Sequence, residues 1–212
     1  SGRLRNMVGS QLESAPLPYE SVNNGDWSTL TTWENGSINI LPNSTGINGT
    51  PIDWNIVRVN TNVSSGNRDI TVLGLQVLNN KLSIQNSNTT TNGQSLGITK
   101  YLQIDGPNSV LDLVGESQLL QDTGSIVASG SGRLERDQQG TSSFYSYNYW
   151  GSPVMSSSGS YAIGNVLRNG SDPNNILGIQ WSTNHDANFS SSPITMSARW
   201  LYTFSNNEEN NY

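Results

Sequence analysis

The chain has 212 residues, of which 12% are charged and none is cysteine, and its formal net charge is −6. Its lysines are Lys81 and Lys100 alone, so it has no basic patch that could release counterions from a nucleic acid, which excludes DNA and RNA as expected partners. No apolar run approaches the ~20 residues that a membrane span needs, and the lack of cysteine excludes disulfides and thiolate metal sites. Low lysine with abundant asparagine and threonine favours an extracellular location.

Residues 1–20 are predicted to be the tail of a preceding module or a linker. Pro16 and Pro18 interrupt this stretch, as prolines commonly do between folded modules. The opening residues, SGRLRNMVGS, lack the continuous apolar segment of a signal peptide. If the protein is secreted, we therefore expect this chain to be a fragment of a longer precursor.

Residues 21–143 contain short segments that alternate apolar and polar residues, which predicts short strands with one inward face. Turns rich in asparagine, glycine and serine separate these segments. The predicted strands are Ile56–Val59, Ile70–Val72, Leu75–Val77, Leu82–Ile84, Leu102–Ile104, Leu111–Leu113, Ser125–Val127 and Gly132–Leu134. The side chains predicted to point inward are Val57, Val59, Leu75, Val77, Leu82, Ile84, Leu102, Ile104, Leu111, Leu113, Leu119, Ile126 and Leu134.

The spacing of these strands predicts a right-handed parallel β-helix, a three-sided solenoid. Apolar positions recur every 7–9 residues, and at longer range Val57 and Leu75 are 18 residues apart while Leu82 and Leu102 are 20 apart. This spacing is expected when each side of a coil supplies one short strand and successive coils stack in parallel. A β-sandwich is the alternative, since it also has turns at regular intervals. The shortness and regularity of the steps favour the solenoid.

Aromatic residues flank the predicted strands on both sides, where a solenoid needs caps. Trp27 and Trp33 come before the strands, an even number of residues apart, so an extended segment would point both to one face. The segment SYNYWGSPV, residues 146–154, comes after them. We therefore predict that residues 144–212 form a β-rich cap, with 146–150 as a strand and Trp150 buried in an aromatic core.

The same segment supports a second interpretation, a platform for carbohydrate. Aromatic faces stack on sugar rings, and neighbouring asparagine and aspartate side chains bind sugar hydroxyl groups. The candidate binding residues are Tyr145, Tyr147, Tyr149 and Trp150. Solvent exposure separates the two interpretations, because a cap buries these rings and a platform exposes them.

We predict that the chain is not an enzyme, although some β-helices degrade polysaccharides with clustered carboxylates or a basic residue. The charged candidates are Asp105, Asp112, Glu116, Asp122, Glu135, Asp137, Arg133, Arg136 and Lys100. Asp105 precedes a Gly-Pro-Asn turn, which predicts a turn aspartate. Asp112 alternates with leucines and is expected to point to solvent. The segment 133–137 is expected to form surface charge pairs.

No cofactor is predicted. His185 is the only histidine, and with no cysteine this excludes an ordinary zinc site. It also lies in a loop-like segment without a recognisable serine motif. The segments around Asp172 and Asp186 contain oxygen atoms that could bind calcium, but neither follows a known calcium-loop pattern, so ordinary loop turns are favoured.

Several segments together resemble a module of large secreted and cell-surface proteins from gliding, flavobacteria-type organisms. These segments are GDWSTLTTWENG (25–36), GRLERDQQG (132–140), YNYWGSPV (147–154) and ARWLYTFSNNEENNY (198–212). Proteins of this type look like multidomain, adhesin-like cargo of the type IX secretion system, often ending in a separate sorting domain. The resemblance covers about residues 20–212 and departs at Gly151, where serine is more usual.

The resemblance implies a non-catalytic structural or adhesive module at the cell surface. It supplies no catalytic residues that can be placed on this sequence. The partners that it implies are neighbouring modules of the same polypeptide, the secretion machinery acting on the parent protein, and surface glycans. Because the chain has neither signal peptide nor sorting domain, export by this route is expected only of the parent protein.

Overall fold

The computed structural model describes residues 17–86, 92–123, 125–127, 130–138, 146–151, 154, 162–172, 175–188 and 190–202. The chain divides into two compact units, Ser1–Gly140 and Thr141–Tyr212. The described residues are mostly β-strand, with one short α-helix and two 3₁₀ turns, so the predicted all-β class is confirmed. None of the described helices has the length and apolar character needed to cross a bilayer.

Twelve strands make up two sheets in the described part of the first unit. They are β1 (Tyr19–Ser21), β2 (Gly25–Asp26), β3 (Trp33–Glu34), β4 (Ile56–Val59), β5 (Val63–Ser64), β6 (Ile70–Val77), β7 (Lys81–Ile84), β8 (Ser95–Ile104), β9 (Val110–Leu113), β10 (Gln118–Gln121), β11 (Ile126–Val127) and β12 (Arg133–Arg136). The first sheet has the order β10-β8-β6-β4-β1-β3, with β11 also paired to β8, and the second has the order β12-β9-β7-β5-β2. Paired strands are parallel except β1 and β3. The mainly antiparallel pairing of a β-sandwich is therefore not seen in these sheets.

The alternating apolar positions of these strands enclose one core. Nine of the residues predicted to point inward are buried: Val57, Val59, Leu75, Val77, Leu82, Ile84, Leu102, Leu111 and Leu113. Ile104, Leu119 and Leu134 are partly buried against the same cluster, and the side chain of Ile126 lies outside the described residues. Full burial of one such side chain stabilises the fold by about 1.5–3 kcal/mol, so this core is the main stabilising feature of the first unit.

The strand register shows which of the predicted spacings is right. Val57 pairs with Leu75, 18 residues further along the chain, as predicted. Leu82, however, pairs with Leu111, and Leu102 pairs with Leu75, so the predicted stacking of Leu82 on Leu102 is wrong. The reason is that β8 is 10 residues long and begins at Ser95, 11 positions after β7 ends at Ile84, so one pass of the chain contains more residues here.

The long strand β8 pairs with two separate strands on one side. Its first part, Ser95–Ile98, pairs with β10, and its second part, Tyr101–Leu102, pairs with β11. Against β6, the register shifts between Val72 and Gly74, so two residues of β8 oppose one residue of β6. This is the geometry of a β-bulge, which bends the strand that contains the extra residue.

The abundant asparagines have a structural role at the turns between the two sheets. Asn24 Oδ1 accepts a hydrogen bond from Asn62 N at 2.9 Å, and Asn62 Oδ1 accepts one from Lys81 N at 3.1 Å. Asn80, whose φ is 61°, donates from Nδ2 to Asn60 O at 2.9 Å. These bonds join turns from successive passes of the chain and satisfy backbone groups that the strands leave unpaired.

Trp27 and Trp33 lie near β3, where the parallel series ends. Both are fully buried, and their rings meet edge to face with centroids 4.6 Å apart. Trp27 Nε1 donates to Pro42 O at 3.1 Å, and Trp33 Nε1 donates to Trp27 O at 2.9 Å. A 3₁₀ turn at Leu30–Thr32 separates the two rings, so the extended segment predicted between them is wrong. The turn, not strand alternation, brings both indoles into the core.

The second unit contains only short elements in its described part. They are α1 (Ile163–Val166), β13 (Arg168–Asn169), β14 (Leu177–Gly178), β15 (Gln180–Ser182) and β16 (Thr195–Ser197). β13 and β14 are antiparallel, whereas β15 and β16 are parallel. Among the residues described in this unit, the buried ones are the polar residues Asn169 and Ser197.

Candidate functional site

The aromatic segment predicted to be a buried strand is exposed and has no regular secondary structure at residues 146–151. Tyr147 is 74% exposed, Tyr149 is 76% exposed and Trp150 is 36% exposed. The predictions of a strand here and of a buried Trp150 are therefore wrong. The physical reason is that the short strands of this unit bury no described apolar side chain, so the described part of the unit offers the indole no apolar core. Tyr145 lies outside the described residues.

The exposure of these rings determines what they can do chemically. Each ring offers an apolar face, while its hydroxyl or N–H group at the edge can form hydrogen bonds. Such a surface can stack on the apolar face of a sugar ring or on another aromatic group. The exposure matches what a platform requires, and it is the opposite of what an aromatic plug requires.

Other large apolar side chains of the second unit also reach solvent. Ile176 is 38% exposed, Trp200 is 53% exposed and Tyr202 is 73% exposed. Trp200 meets His185 edge to face with ring centroids 5.0 Å apart, and its Nε1 donates to His185 O at 2.9 Å. This indole thus contacts His185 while more than half of the residue's surface stays exposed.

Three charged residues from different strands meet on the outward face of the second sheet. Lys81 Nζ of β7 lies 3.0 Å from Asp112 Oδ2 of β9 and 3.6 Å from Glu135 Oε2 of β12. Asp112 and Glu135 are adjacent because β9 and β12 pair in that register. Asp112 is only 8% exposed, so the prediction that it is a solvated strand residue is wrong. Side chains from the strands on both sides of it cover the carboxylate.

Lys81, Asp112 and Glu135 are called the charged cluster below. In this cluster the pKa values of Asp112 and Lys81 are both raised. Burial raises the pKa of Asp112, and the nearby Lys81 offsets this only in part, because the negative charges of Glu135 and Asp137 act in the same direction as burial. Burial acts to lower the pKa of Lys81, but the two carboxylates outweigh it and the pKa of the lysine is raised. Both directions follow from one ammonium lying between two carboxylates.

The charged cluster connects side chains of three strands, β7, β9 and β12. Lys81 bridges carboxylates from β9 and β12, and Arg133 Nε lies 3.5 Å from Glu135 Oε1. Glu135 Oε2 is buried and has no hydrogen-bond partner among the described residues, since 3.6 Å to Lys81 is too long for one. The segment 133–137 was expected to form only surface pairs, which is wrong for Glu135, because its side chain is only 19% exposed.

The remaining charged candidates are not brought together with this cluster, apart from Asp137, whose charge acts on it. Asp105 lies in the turn after β8, where its Oδ1 accepts from Gly106 N at 2.9 Å, so the turn prediction is confirmed. Asp137 Oδ2 accepts from Gly115 N at 2.9 Å. Lys100 is exposed at the bulge of β8. Asp105 and Asp137 thus each accept a hydrogen bond from a backbone N–H group of a turn.

The segments considered for calcium are loop segments. His185 Nδ1 lies 2.7 Å from Asp186 Oδ1, with the two side chains 67% and 92% exposed. Asp172 lies in a turn where its backbone oxygen accepts from Asn175 N at 3.0 Å. Within the described ranges, no group of three or more His, Cys, Asp or Glu residues could hold a metal ion.

A row of polar side chains crosses four neighbouring strands on the outward face of the first sheet. Arg58 Nη1 donates to Glu20 Oε1 at 3.0 Å, and Arg58 Nε donates to Gln76 Oε1 at 2.8 Å. Gln76 Nε2 then donates to Gln103 Oε1 at 2.7 Å. These four residues, called the polar row below, are direct register partners, so they repeat at the spacing of neighbouring strands, about 4.8 Å.

Sequence reasoning missed the polar row and the part of Lys81 in the charged cluster. Their members are far apart in the chain, and no local motif connects them. A usable signal exists in the alternation itself, because Arg58 lies between the inward Val57 and Val59, and Gln76 lies between the inward Leu75 and Val77. Polar residues at matching positions of stacked strands become neighbours once the register is known.

No protein-family model matches the chain, and comparisons with curated proteins and with solved structures find no match either. The resemblance to cell-surface modules therefore depends on the sequence segments given above. The geometry of the first unit is the further source of support for a function.

Proposed function

We propose that residues 19–136 form a right-handed, three-sided parallel β-helix that serves as a structural and adhesive module of a secreted bacterial cell-surface protein. The observation that supports this most strongly is the parallel stacking of short strands. Strands from β4 onward mostly alternate between two sheets, and each pairs with a strand from the next pass of the chain. Such stacking around one core is the geometry of a solenoid.

The pairing of β8 supports three sides. One side has β10 with the first part of β8, a second has β11 with the second part of β8, and a third has the five strands of the second sheet. The bulge between the two parts of β8 provides a bend suited to a corner. The right-handed sense is proposed because parallel crossover connections are right-handed in about 98% of cases.

The ends of the proposed solenoid need protection from strand addition. At one end, the antiparallel strand β3 ends the parallel series, and the buried pair Trp27 and Trp33 lies beside it. We propose that these residues are the N-terminal cap. The capping role of residues 144–212 stays a prediction.

The adhesive role is supported by the outward faces of the sheets. The polar row presents a carboxylate, a guanidinium and two amides at regular spacing along neighbouring strands. Only 12% of the residues are charged, so most contacts that the module offers are neutral hydrogen bonds. Contacts of this type depend little on ionic strength, in contrast to contacts between charged surfaces.

Export by the type IX secretion system is proposed for the parent protein on the sequence resemblance. The most specific segment is YNYWGSPV, residues 147–154, and its order relative to GDWSTLTTWENG and GRLERDQQG adds to the resemblance. An antibody raised against the chain should label intact cells of the source organism, and labelling should fall when the secretion system is inactivated. Unchanged labelling of such cells would contradict this route.

Retention of protein-coated beads under flow tests the adhesive function. We expect beads coated with the folded chain to be retained on polysaccharide-coated surfaces or bacterial cells, with little change between low and high salt. Beads coated with heat-unfolded chain are the control. Retention of the folded chain no better than this control on any surface would contradict the proposal.

We also propose that the chain has no catalytic activity. The support comes from the charged cluster, where Lys81 is engaged by both carboxylates and Asp112 is covered. Incubation with a panel of algal and plant polysaccharides should release neither reducing ends nor unsaturated products. Release that is lost in Asp112→Asn would show that the cluster is catalytic.

A carbohydrate-binding module is the second candidate function. The observation that favours it is the exposure of Tyr147 and Tyr149, 74% and 76%. On this candidate, the double variant Tyr147→Ala, Tyr149→Ala should lose glycan-array signals that Ile176→Ala, an exposed position of the same unit, keeps. Equal glycan-array signals from both variants would contradict the carbohydrate-binding function.

A further inference from the structure

We propose that the first unit contains a separate binding site, centred on Trp54, for a neutral oligosaccharide. This inference rests on the adhesive function proposed above and names a partner for it. Trp54 is 56% exposed, although it lies only two residues before the strand β4 begins. It lines two shallow depressions.

The two depressions are large enough to hold sugar rings. One has a volume of about 310 Å³ and is lined by Leu17, Tyr19, Asn35, Trp54, Asn55 and Ile56. The other has a volume of about 530 Å³, with Asn48, Asp53 and Thr71 among its lining residues. Small-ligand sites typically have volumes of about 300–1,000 Å³. An oligosaccharide that stacks on the indole of Trp54 can therefore extend into both depressions.

Asn55, which lines the first depression, carries a buried hydrogen-bond donor that has no partner among the described residues. Asn55 is 2% exposed, and its Oδ1 accepts from Asn43 N at 2.7 Å. Because a backbone N–H only donates, this bond fixes which end of the amide is oxygen. Asn55 Nδ2 is then left without a hydrogen-bond partner among the described residues. The bond between Asn43 N and Asn55 Oδ1 ties the segment that carries Trp54 to the loop that carries Asn43.

The segment that carries Trp54 is held in place by its neighbours. Asn43 Nδ2 donates to Ile52 O and to Thr71 O, at 2.9 Å in each case. Arg68 Nη2 donates to Asn43 O at 2.7 Å. A site held in this way loses little conformational freedom when a ligand binds, which favours affinity.

The chemistry of the lining indicates an uncharged sugar. Among the described residues, Asp53 is the only charged one that lines either depression, and no described lysine or arginine lines them. An anionic polysaccharide would meet a carboxylate without a balancing cation, and this repulsion disfavours it. A neutral pyranose offers one apolar ring face to the indole and hydroxyl groups to the asparagine and threonine side chains.

Calorimetric titration of the full chain with cellohexaose, laminarihexaose, mannohexaose and xylohexaose tests the proposal, with polygalacturonate as an anionic probe and a proline-rich peptide as a non-sugar probe. We expect at least one neutral oligosaccharide to bind, and Trp54→Ala to weaken it about tenfold or more. Trp54→Phe, which keeps an aromatic face, should retain most of the affinity. Because Trp54 is exposed, thermal melting should show that both variants stay folded.

Trp200→Ala is the matched control, since Trp200 is 53% exposed and belongs to the second unit. It should leave the affinity unchanged. Equal affinity of Trp54→Ala and the unaltered chain would overturn the site, as would binding of polygalacturonate or the peptide without any neutral oligosaccharide. Beads that adhere while none of the four oligosaccharides binds would overturn the Trp54 site and leave the adhesive function standing.

Discussion

The first unit encloses many large apolar side chains, among them Trp27, Leu75 and Leu113, around one core, whereas the described aromatic residues of the second unit, such as Tyr149 and Trp200, lie at the surface. Both units contain large apolar residues. They differ in the sheets that are available to cover those residues. Strands stacked in two sheets share one core, but sheets of two short strands cannot shield an apolar face from water.

This difference teaches that a high aromatic content at the ends of a polar chain does not by itself indicate a cap. Trp27 and Trp33 are buried because a turn and an antiparallel strand bring them onto existing strands. Trp150 has no regular strand and remains 36% exposed. Stability should therefore be lost by changes in the first unit and tolerated in the second.

Trp27→Ala should produce the largest loss of stability. It removes a fully buried indole, its edge-to-face contact with Trp33 and its hydrogen bond to Pro42 O. We expect the free energy of unfolding of the first unit to fall by about 3–5 kcal/mol, as for other buried aromatic residues. Urea unfolding followed by circular dichroism measures it. A loss below about 1 kcal/mol would mean that these rings do not form part of the core.

Leu102→Ala should cost about 2–5 kcal/mol, because the side chain is 3% exposed in the shared core. Leu120→Ala is the matched control, since Leu120 lies in the neighbouring strand β10 and is 52% exposed. That control should change stability by no more than about 0.5 kcal/mol. Similar losses in both variants would contradict the inward and outward assignment of these strands.

Lys81→Met should reduce stability by about 1–3 kcal/mol, because it leaves the carboxylates of Asp112 and Glu135 close together without a cation. Lys100→Met is the matched control: it removes the same charge from an exposed position and should have little effect. Thermal and urea unfolding of both variants at neutral pH measures the difference. Equal effects would show that net charge, not the charged cluster, is responsible.

The pH dependence provides a second test of the charged cluster. The raised pKa of Lys81 means that its stabilising contribution is complete below the ordinary lysine value of 10.5 and is lost as pH rises through the higher folded-state pKa. The raised pKa of Asp112 means that its charged form is disfavoured in the folded protein, so acidification relieves that cost. Lys81→Met should therefore regain stability relative to the unaltered chain as pH falls from neutral. A deficit that stays constant with pH would contradict this cause.

Trp150→Ala should have the smallest effect on stability, about 0.5 kcal/mol or less, since the residue is 36% exposed and packs into no core among the described residues. Thermal melting of this variant beside Trp27→Ala compares the two units directly. A loss of about 3–5 kcal/mol, as expected for a buried tryptophan, would restore the cap interpretation of the aromatic segment.

The strands of the first unit could be predicted because alternation along a strand is a local signal. Val57, Val59, Leu82 and Ile84 were all identified as inward in this way, and all are fully buried. The pairing of β6 with β8 could not be predicted, because it depends on two features. One is the length of the connection between β7 and β8, and the other is a β-bulge that no residue type in the sequence indicates.

The candidate sites were harder to predict than the strands, since they form between distant segments. The burial of Asp112 follows from the side chains of β7 and β12 on either side of it, which only the register shows. The exposure of Trp54 and the unpaired Asn55 Nδ2 depend on how the loop before β4 packs. Composition and spacing contain no information about either arrangement.

Amide hydrogen exchange, measured residue by residue on the full chain, tests most directly whether the first unit holds most of the folding free energy. Amides of β6 and β8 should exchange only through global unfolding of the first unit, because both strands are paired on two sides and bury Leu75 and Leu102. Amides of β15 and β16 should exchange much faster, through local openings. Equal protection in the two units, or stronger protection of β15 and β16, would contradict this division.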